Sequence, residues 1–233
     1  MPQNLPKITS HPSRPTKPPR SILPGTFAFA PHKDTLGGTA YFIVNKSGNV
    51  LIDCPAWNEI NQQFLIANGG VRWLILTHRN GISKQVNQIK TIHQCEIIIQ
   101  EQEAYLLPEI KVTSFREKLL LDNTLELIWT PGYSPGSSCL YWQEQDGVLF
   151  SGRHLLPKTN GDITPLRTAK TFHWSRQLNS VKLLLDRFDE KTLKYICPGA
   201  NTGFLRGKGY LDDAYQKLST LDLSALRQEQ PIL

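Results

Sequence analysis

From Gly25 onward the apolar positions fall into short β-branched runs alternating with segments of helical spacing. Residues 39–44 and 50–53 are strand-like and are separated by Lys46-Ser47-Gly48-Asn49, a polar, glycine-containing stretch that predicts a hairpin turn. Residues 57–68 carry Ile60, Phe64 and Ala67 on one face and stop at Gly69-Gly70, as an amphipathic helix does. A buried strand is expected over 71–77. Ser83 then stands as N-cap of a helix reaching about His93, whose position favours a cation at the helix end. Further strands are expected at 96–100, 125–130, 139–143 and 148–150. Val181, Leu184, Leu185 and Phe188 recur at helical spacing, 195–197 reads as a short strand, and 211–221 as a closing helix.

Hairpins come first, then β-α-β units, then hairpins again, then α-β-α. Two mixed sheets packed back to back with helices outside would cover every apolar face, an αββα sandwich of the α/β class. No repeat and no second-domain boundary is visible over 25–233. Residues 1–24 differ: seven prolines and four basic residues leave too little apolar surface to offset the entropy of ordering, so a flexible basic tail is expected there.

Charge sharpens this division. No acidic residue precedes Asp34, while Lys7, Arg14, Lys17, Arg20 and Lys33 are all basic. The rest of the chain holds 21 basic against 20 acidic residues. A nearly neutral body argues against a nucleic-acid partner. Two local basic stretches stand out, Arg167-Thr168-Ala169-Lys170 and Leu205-Arg206-Gly207-Lys208-Gly209, and are read first as solvated surface. No apolar run is long enough to cross a membrane. Cys54, Cys95, Cys139 and Cys197 are widely spaced within apolar segments, which predicts free thiols and a reducing, cytoplasmic setting.

Candidate chemistry sits in four short stretches. They are Thr77-His78-Arg79-Asn80-Gly81-Ile82-Ser83, Pro131-Gly132-Tyr133-Ser134-Pro135-Gly136-Ser137, Leu149-Phe150-Ser151-Gly152-Arg153 and Cys197-Pro198-Gly199-Ala200-Asn201, each following an apolar strand. In this order they resemble the metal-binding motifs of the metallo-β-lactamase superfamily, from about Phe27 to the 211–221 helix. That resemblance implies the αββα sandwich. It also implies seven ligand positions, here His78, Asn80, Ile82, Ser83, Tyr133, Arg153 and Ala200, of which only His78 retains the family's residue.

Zinc needs about three or four protein donors in fixed geometry. Ile82 and Ala200 cannot coordinate. Arg153 stands where the resemblance implies a carboxylate bridging two metals. A guanidinium roughly 4 Å from a divalent ion is repelled by about 8 kcal/mol even at an effective dielectric of 20. The expectation is a protein without cofactor and without catalysis. It would be a binding or interaction module for a small anionic ligand or a protein partner. Its pocket would be drawn from Asp53, His78, Arg79, Asn80, Tyr133, Arg153 and His154. Arg153 would either hold this pocket closed or fork onto a carboxylate or phosphate. Asp53, at a strand end, is read as a loop support. The alternative is a metal-dependent hydrolase with an altered or mononuclear site, holding zinc or another divalent metal weakly through His78, Asp53 and either His154 or Cys54. His173 is read as a packing or capping residue.

Overall fold

A computed structural model describes residues 17–231; the expected tail lies outside the described residues for positions 1–16. The elements follow one another as β1 (Arg20–Leu23), β2 (Thr26–Ala28), β3 (Tyr41–Ile43), β4 (Val50–Ile52), α1 (Glu59–Ala67), β5 (Trp73–Leu76), α2 (Val86–His93) and β6 (Glu96–Gln100). Then come β7 (Thr113–Phe115), β8 (Lys118–Leu120), β9 (Leu125–Trp129), β10 (Ser138–Trp142) and β11 (Val148–Gly152). The chain ends with β12 (Leu156–Pro157), β13 (Ile163–Thr164), α3 (Trp174–Arg187), β14 (Tyr195–Pro198), α4 (Ala214–Ser219) and α5 (Leu223–Gln228).

A seven-stranded sheet runs β1-β2-β3-β4-β5-β6-β7, and a five-stranded sheet runs β14-β11-β10-β9-β8. Both are mixed. Hairpins make β1 to β4 antiparallel, whereas α1 and α2 carry the chain back so that β4, β5 and β6 pair parallel. Side-chain alternation decides the layers. Ile43, Val50, Ile75 and Ile98 point inward to meet Leu127, Leu140, Phe150 and Cys197 of the second sheet. Their neighbours Phe42, Leu51, Leu74 and Ile97 point outward under Leu65 of α1 and Ile89 of α2. On the far side Ile128, Cys139, Leu149 and Ile196 meet Val181 and Leu184 of α3 and Leu218 of α4. Each fully buried Leu or Ile contributes roughly 2 kcal/mol, so every strand face needs its cover. The expected αββα sandwich is the observed one.

Several boundaries move. Residues 20–24 belong to the domain and not to the tail, because Arg20–Leu23 pairs antiparallel with Thr26–Ala28. The helix expected from Ser83 starts at Val86; the Ser83 hydroxyl instead accepts from the Gln85 N–H at 3.2 Å and closes a turn ahead of it. The closing helix is shorter, since Leu211 is held in an antiparallel bridge to Ile196 and Asp213 is left-handed (φ 48°). A second short helix, α5, follows it. Burial lowers the pKa of His93, which works against the expected cation. Four free, buried cysteines are present, and no helix among the described residues is long and apolar enough to cross a membrane.

Candidate functional site

The four motifs converge at one edge of the paired sheets. Asp53 follows β4 in a left-handed conformation (φ 56°), which turns its carboxylate toward the end of β5. One oxygen accepts from the Thr77 N–H at 2.8 Å and the other from the Thr77 hydroxyl at 2.7 Å. These bonds tie two strand ends together, the loop-supporting role expected for Asp53. Burial nevertheless raises its pKa to about 6, against the lowering effect of the Thr77 bonds. Gly81 makes room for this carboxylate: a Cβ there would lie 2.1 Å from Asp53 Oδ1.

His78 is 2% exposed, with its ring 5.4 Å from that of Tyr133 and Nδ1 3.9 Å from Asp53 Oδ2. Neither ring nitrogen has a hydrogen-bond partner among the described residues. Burial first, and repulsion from Arg153 second, lower its pKa to about 3, so the ring is neutral. The Tyr133 hydroxyl donates to Asn80 Oδ1 at 2.6 Å. Tyr133 reaches this point from a tight turn in which Gly132 presses on the backbone of Gln177 in α3, 2.5 Å or less from where a Cβ would lie.

Arg153 leaves β11 and crosses the edge of the sandwich. Its Nη2 donates to the carbonyl oxygens of Thr35 at 3.1 Å and Leu36 at 2.6 Å, and its Cζ lies 5.9 Å from the Tyr133 ring centroid. Its Nε is buried without a partner among the described residues. The side chain thus joins the loop before β3, the turn after β9 and the end of β11. Arg79 faces the other way, its Nε donating to Glu103 Oε1 at 3.1 Å. Glu103 is fully buried, and a Cβ on Gly136 would be 2.7 Å from its Cγ. The sequence reading missed Glu103, which follows an apolar strand within a polar run that looks like a solvated turn.

His154 does not join this group as an ion-binding side chain. It is 1% exposed, its carbonyl accepts from Gln177 Nε2 at 3.1 Å, and burial alone lowers its pKa to about 3. Cys54 is buried too, and burial raises its thiol to about 12. His173 caps α3, with Nδ1 accepting from the Arg176 N–H. Among the described residues no three His, Cys, Asp or Glu side chains are grouped to hold a metal ion.

The donor set does not fit the divalent metals that the motifs imply. His78 offers a free imidazole nitrogen, but the nearest carboxylate is committed to Thr77, the Tyr133 hydroxyl to Asn80, and a permanent cation lies close enough to repel charge on His78. Chemically the arrangement is a hydrogen-bonded clamp across loops of both sheets.

No model of a protein family matches the sequence, and no curated protein matches it at a significant level. Solved structures do resemble it. A metallo-β-lactamase family protein from Thermus thermophilus is 18% identical over 89% of this chain and 81% of its own, with a TM-score of 0.63. A metallo-β-lactamase from Pontibacter korlensis is 16% identical over 91% of this chain and 99% of its own, with a TM-score of 0.65. An archaeal metallo-β-lactamase superfamily protein from Sulfolobus tokodaii is 14% identical over 90% and 88%, with a TM-score of 0.60. By its layers, its strand order and these likenesses, this chain has the metallo-β-lactamase fold.

Proposed function

We propose that this chain is a non-catalytic protein of the metallo-β-lactamase fold, a binding or interaction module whose former metal site has become a side-chain clamp. One observation carries the reading: Arg153, at the position where the motif resemblance implies a bridging carboxylate, spends its Nη2 on the Thr35 and Leu36 carbonyls. Activating water between two metals requires a bridging anion and open coordination positions. A guanidinium that cannot lose its proton supplies neither. The four buried thiols go with a reducing, cytoplasmic setting.

The partner is a small anionic ligand or another protein. For an anion to fork onto Arg153 it would have to displace the Thr35 and Leu36 carbonyls from Nη2, because Nε is buried and Nη1 alone offers contact through a single nitrogen. The rival reading is a hydrolase with an altered or mononuclear metal site. It has in its favour the two unpartnered ring nitrogens of His78.

Elemental analysis separates the two. Protein purified without chelator and dialysed after exposure to zinc, iron and manganese should retain far less than one equivalent of any of them. Near-stoichiometric metal that His78→Ala releases would sink the non-catalytic reading.

A further inference from the structure

A second site lies in the loop that leaves the last of the four motifs, and it uses no residue of the Asp53–Arg153 clamp. Residues 201–209 are bound tightly to the core. The fully buried Tyr41 hydroxyl donates to the carbonyls of Pro198 at 2.7 Å and Gly209 at 3.2 Å. A Cβ on Gly209 would lie 2.8 Å from Ile22 Cγ2 of β1, so the loop sits flat against the sheet edge. Asn201, Arg206, Gly207 and Gly209 all take left-handed backbone angles. For Arg206 (φ 47°) that conformation costs about 1 kcal/mol relative to an ordinary one, and the surrounding anchors maintain it.

This rigid loop forms one wall of a cleft of about 440 Å³, facing the turn between β12 and β13 at Asn160 and Gly161. Arg206, Lys208 and Lys217 line it against a single carboxylate, Asp212. Lys208 pairs with Asp212, and Lys217 donates to the Asp212 carbonyl at 2.6 Å and lies 3.4 Å from its carboxylate. Arg206 is exposed, and its guanidinium makes no side-chain hydrogen bond or ion pair among the described residues. The cleft therefore carries a surplus of two positive charges on a body that is otherwise close to neutral. Phe204, 44% exposed, and Tyr210 supply apolar walls. Volumes of about 300–1,000 Å³ with a few convergent polar groups are typical of small-molecule sites.

We propose that this cleft binds a phosphorylated small molecule of mononucleotide size. Arg206 forks onto the phosphate, the lysines complete its charge, and Phe204 covers the ring or chain it carries. Arg206, Lys208 and Lys217 gather on one cleft around Asp212, which suits a compact anion; a polynucleotide backbone would need contacts spread over several phosphates.

Calorimetric titration of the full chain with inorganic phosphate, pyrophosphate, AMP and a short single-stranded oligonucleotide tests this. AMP and pyrophosphate should bind with one-to-one stoichiometry and raise the Tm, and the amide resonances of Gly207, Gly209 and Asn160 should shift on titration. Arg206→Asn, which tolerates the left-handed backbone, should weaken binding at least about tenfold without lowering the unliganded Tm. Arg116→Gln, removing another exposed arginine, should leave binding intact. The proposal falls if no small phosphate saturates below about 10 mM. It also falls if Arg206→Asn binds like the parent, or if only the oligonucleotide binds.

Discussion

The guanidinium carbon of Arg153 lies 5.9 Å from the ring centroid of Tyr133, and the same side chain holds two carbonyls of the loop before β3. One residue thus links three loops that a metal centre would otherwise gather. Hydrogen bonds from a charged donor contribute about 1.5–3 kcal/mol each when their acceptors cannot easily find other partners. Arg153 is only partly buried, so water replaces part of this. Arg153→Met keeps most of the apolar stem and should lower unfolding stability by about 2 kcal/mol, read as a drop in urea midpoint at unchanged slope. A chelator added to the parent protein should leave the same midpoint where it was. A shift with chelator would mean that an ion, and not Arg153, secures these loops.

Arg79 and Glu103 make an asymmetric pair. The arginine side chain is 40% exposed, while the glutamate is wholly buried and has one oxygen without a partner. Removing the arginine strands a buried carboxylate; removing the carboxylate's charge leaves an arginine that reaches water. Breaking a buried pair from one side costs about 3–5 kcal/mol, and the exposure of Arg79 reduces that here to about 2 kcal/mol. Arg79→Ala should therefore destabilise more than Glu103→Gln, and the double variant should recover most of the difference. Equal losses in the two single variants would overturn the asymmetry of the pair.

The sandwich was legible because its strands are buried on both faces or alternate cleanly, so runs such as 96–100 and 125–130 could hardly be anything else. The ends were not. Arg20–Leu23 hides among prolines, and its pairing depends on a glycine turn whose partner strand is only three residues long. At the site, the motif spacing named His78, Asn80, Tyr133 and Arg153, and all four do meet. Glu103 and Thr77 were invisible as contributors, because their roles come from contacts 24 residues away in sequence, with Arg79 and Asp53 respectively. His154 illustrates the converse: adjacent to Arg153 in sequence, it is buried and is held through its backbone carbonyl by Gln177.

Gly81 tests how firmly Asp53 is fixed. A methyl group there would sit 2.1 Å from Asp53 Oδ1 and 3.0 Å from His78 Nδ1. The carboxylate cannot swing aside without giving up both Thr77 bonds. Gly81→Ala should cost about 1–3 kcal/mol through this overpacking, although its own backbone angle is one that alanine accepts. Combining it with Asp53→Ala should recover part of that loss, since the clashing group is then absent. Additive losses in the double variant would place the strain elsewhere.

Acid should act through the buried imidazoles. His78 and His154 each fall from an ordinary value of 6.5 to about 3 in the fold. A base whose folded pKa is depressed gives stability that is complete above 6.5 and is lost as pH falls toward 3. Asp53 works in the opposite sense. Its folded pKa of about 6 lies above the ordinary 3.8, so its contribution is complete below 3.8 and is lost as pH rises through 6. Near pH 5 His78 and His154 give the unfolded chain two imidazole protons that the fold excludes, the lowered His93 adds to that count, and Asp53 gives the fold one carboxyl proton that the unfolded chain has released. A difference of at least one proton makes stability fall by at least about 1.4 kcal/mol per pH unit between roughly pH 6 and 4.5. His154→Leu removes one of these imidazoles, so its slope over that interval should be smaller than the parent's by about one proton, roughly 1.4 kcal/mol per pH unit. Urea titrations at four or so pH values would measure both slopes. If the leucine variant keeps the parent's slope, the His154 ring takes up its proton in the folded state, and burial is not what governs it.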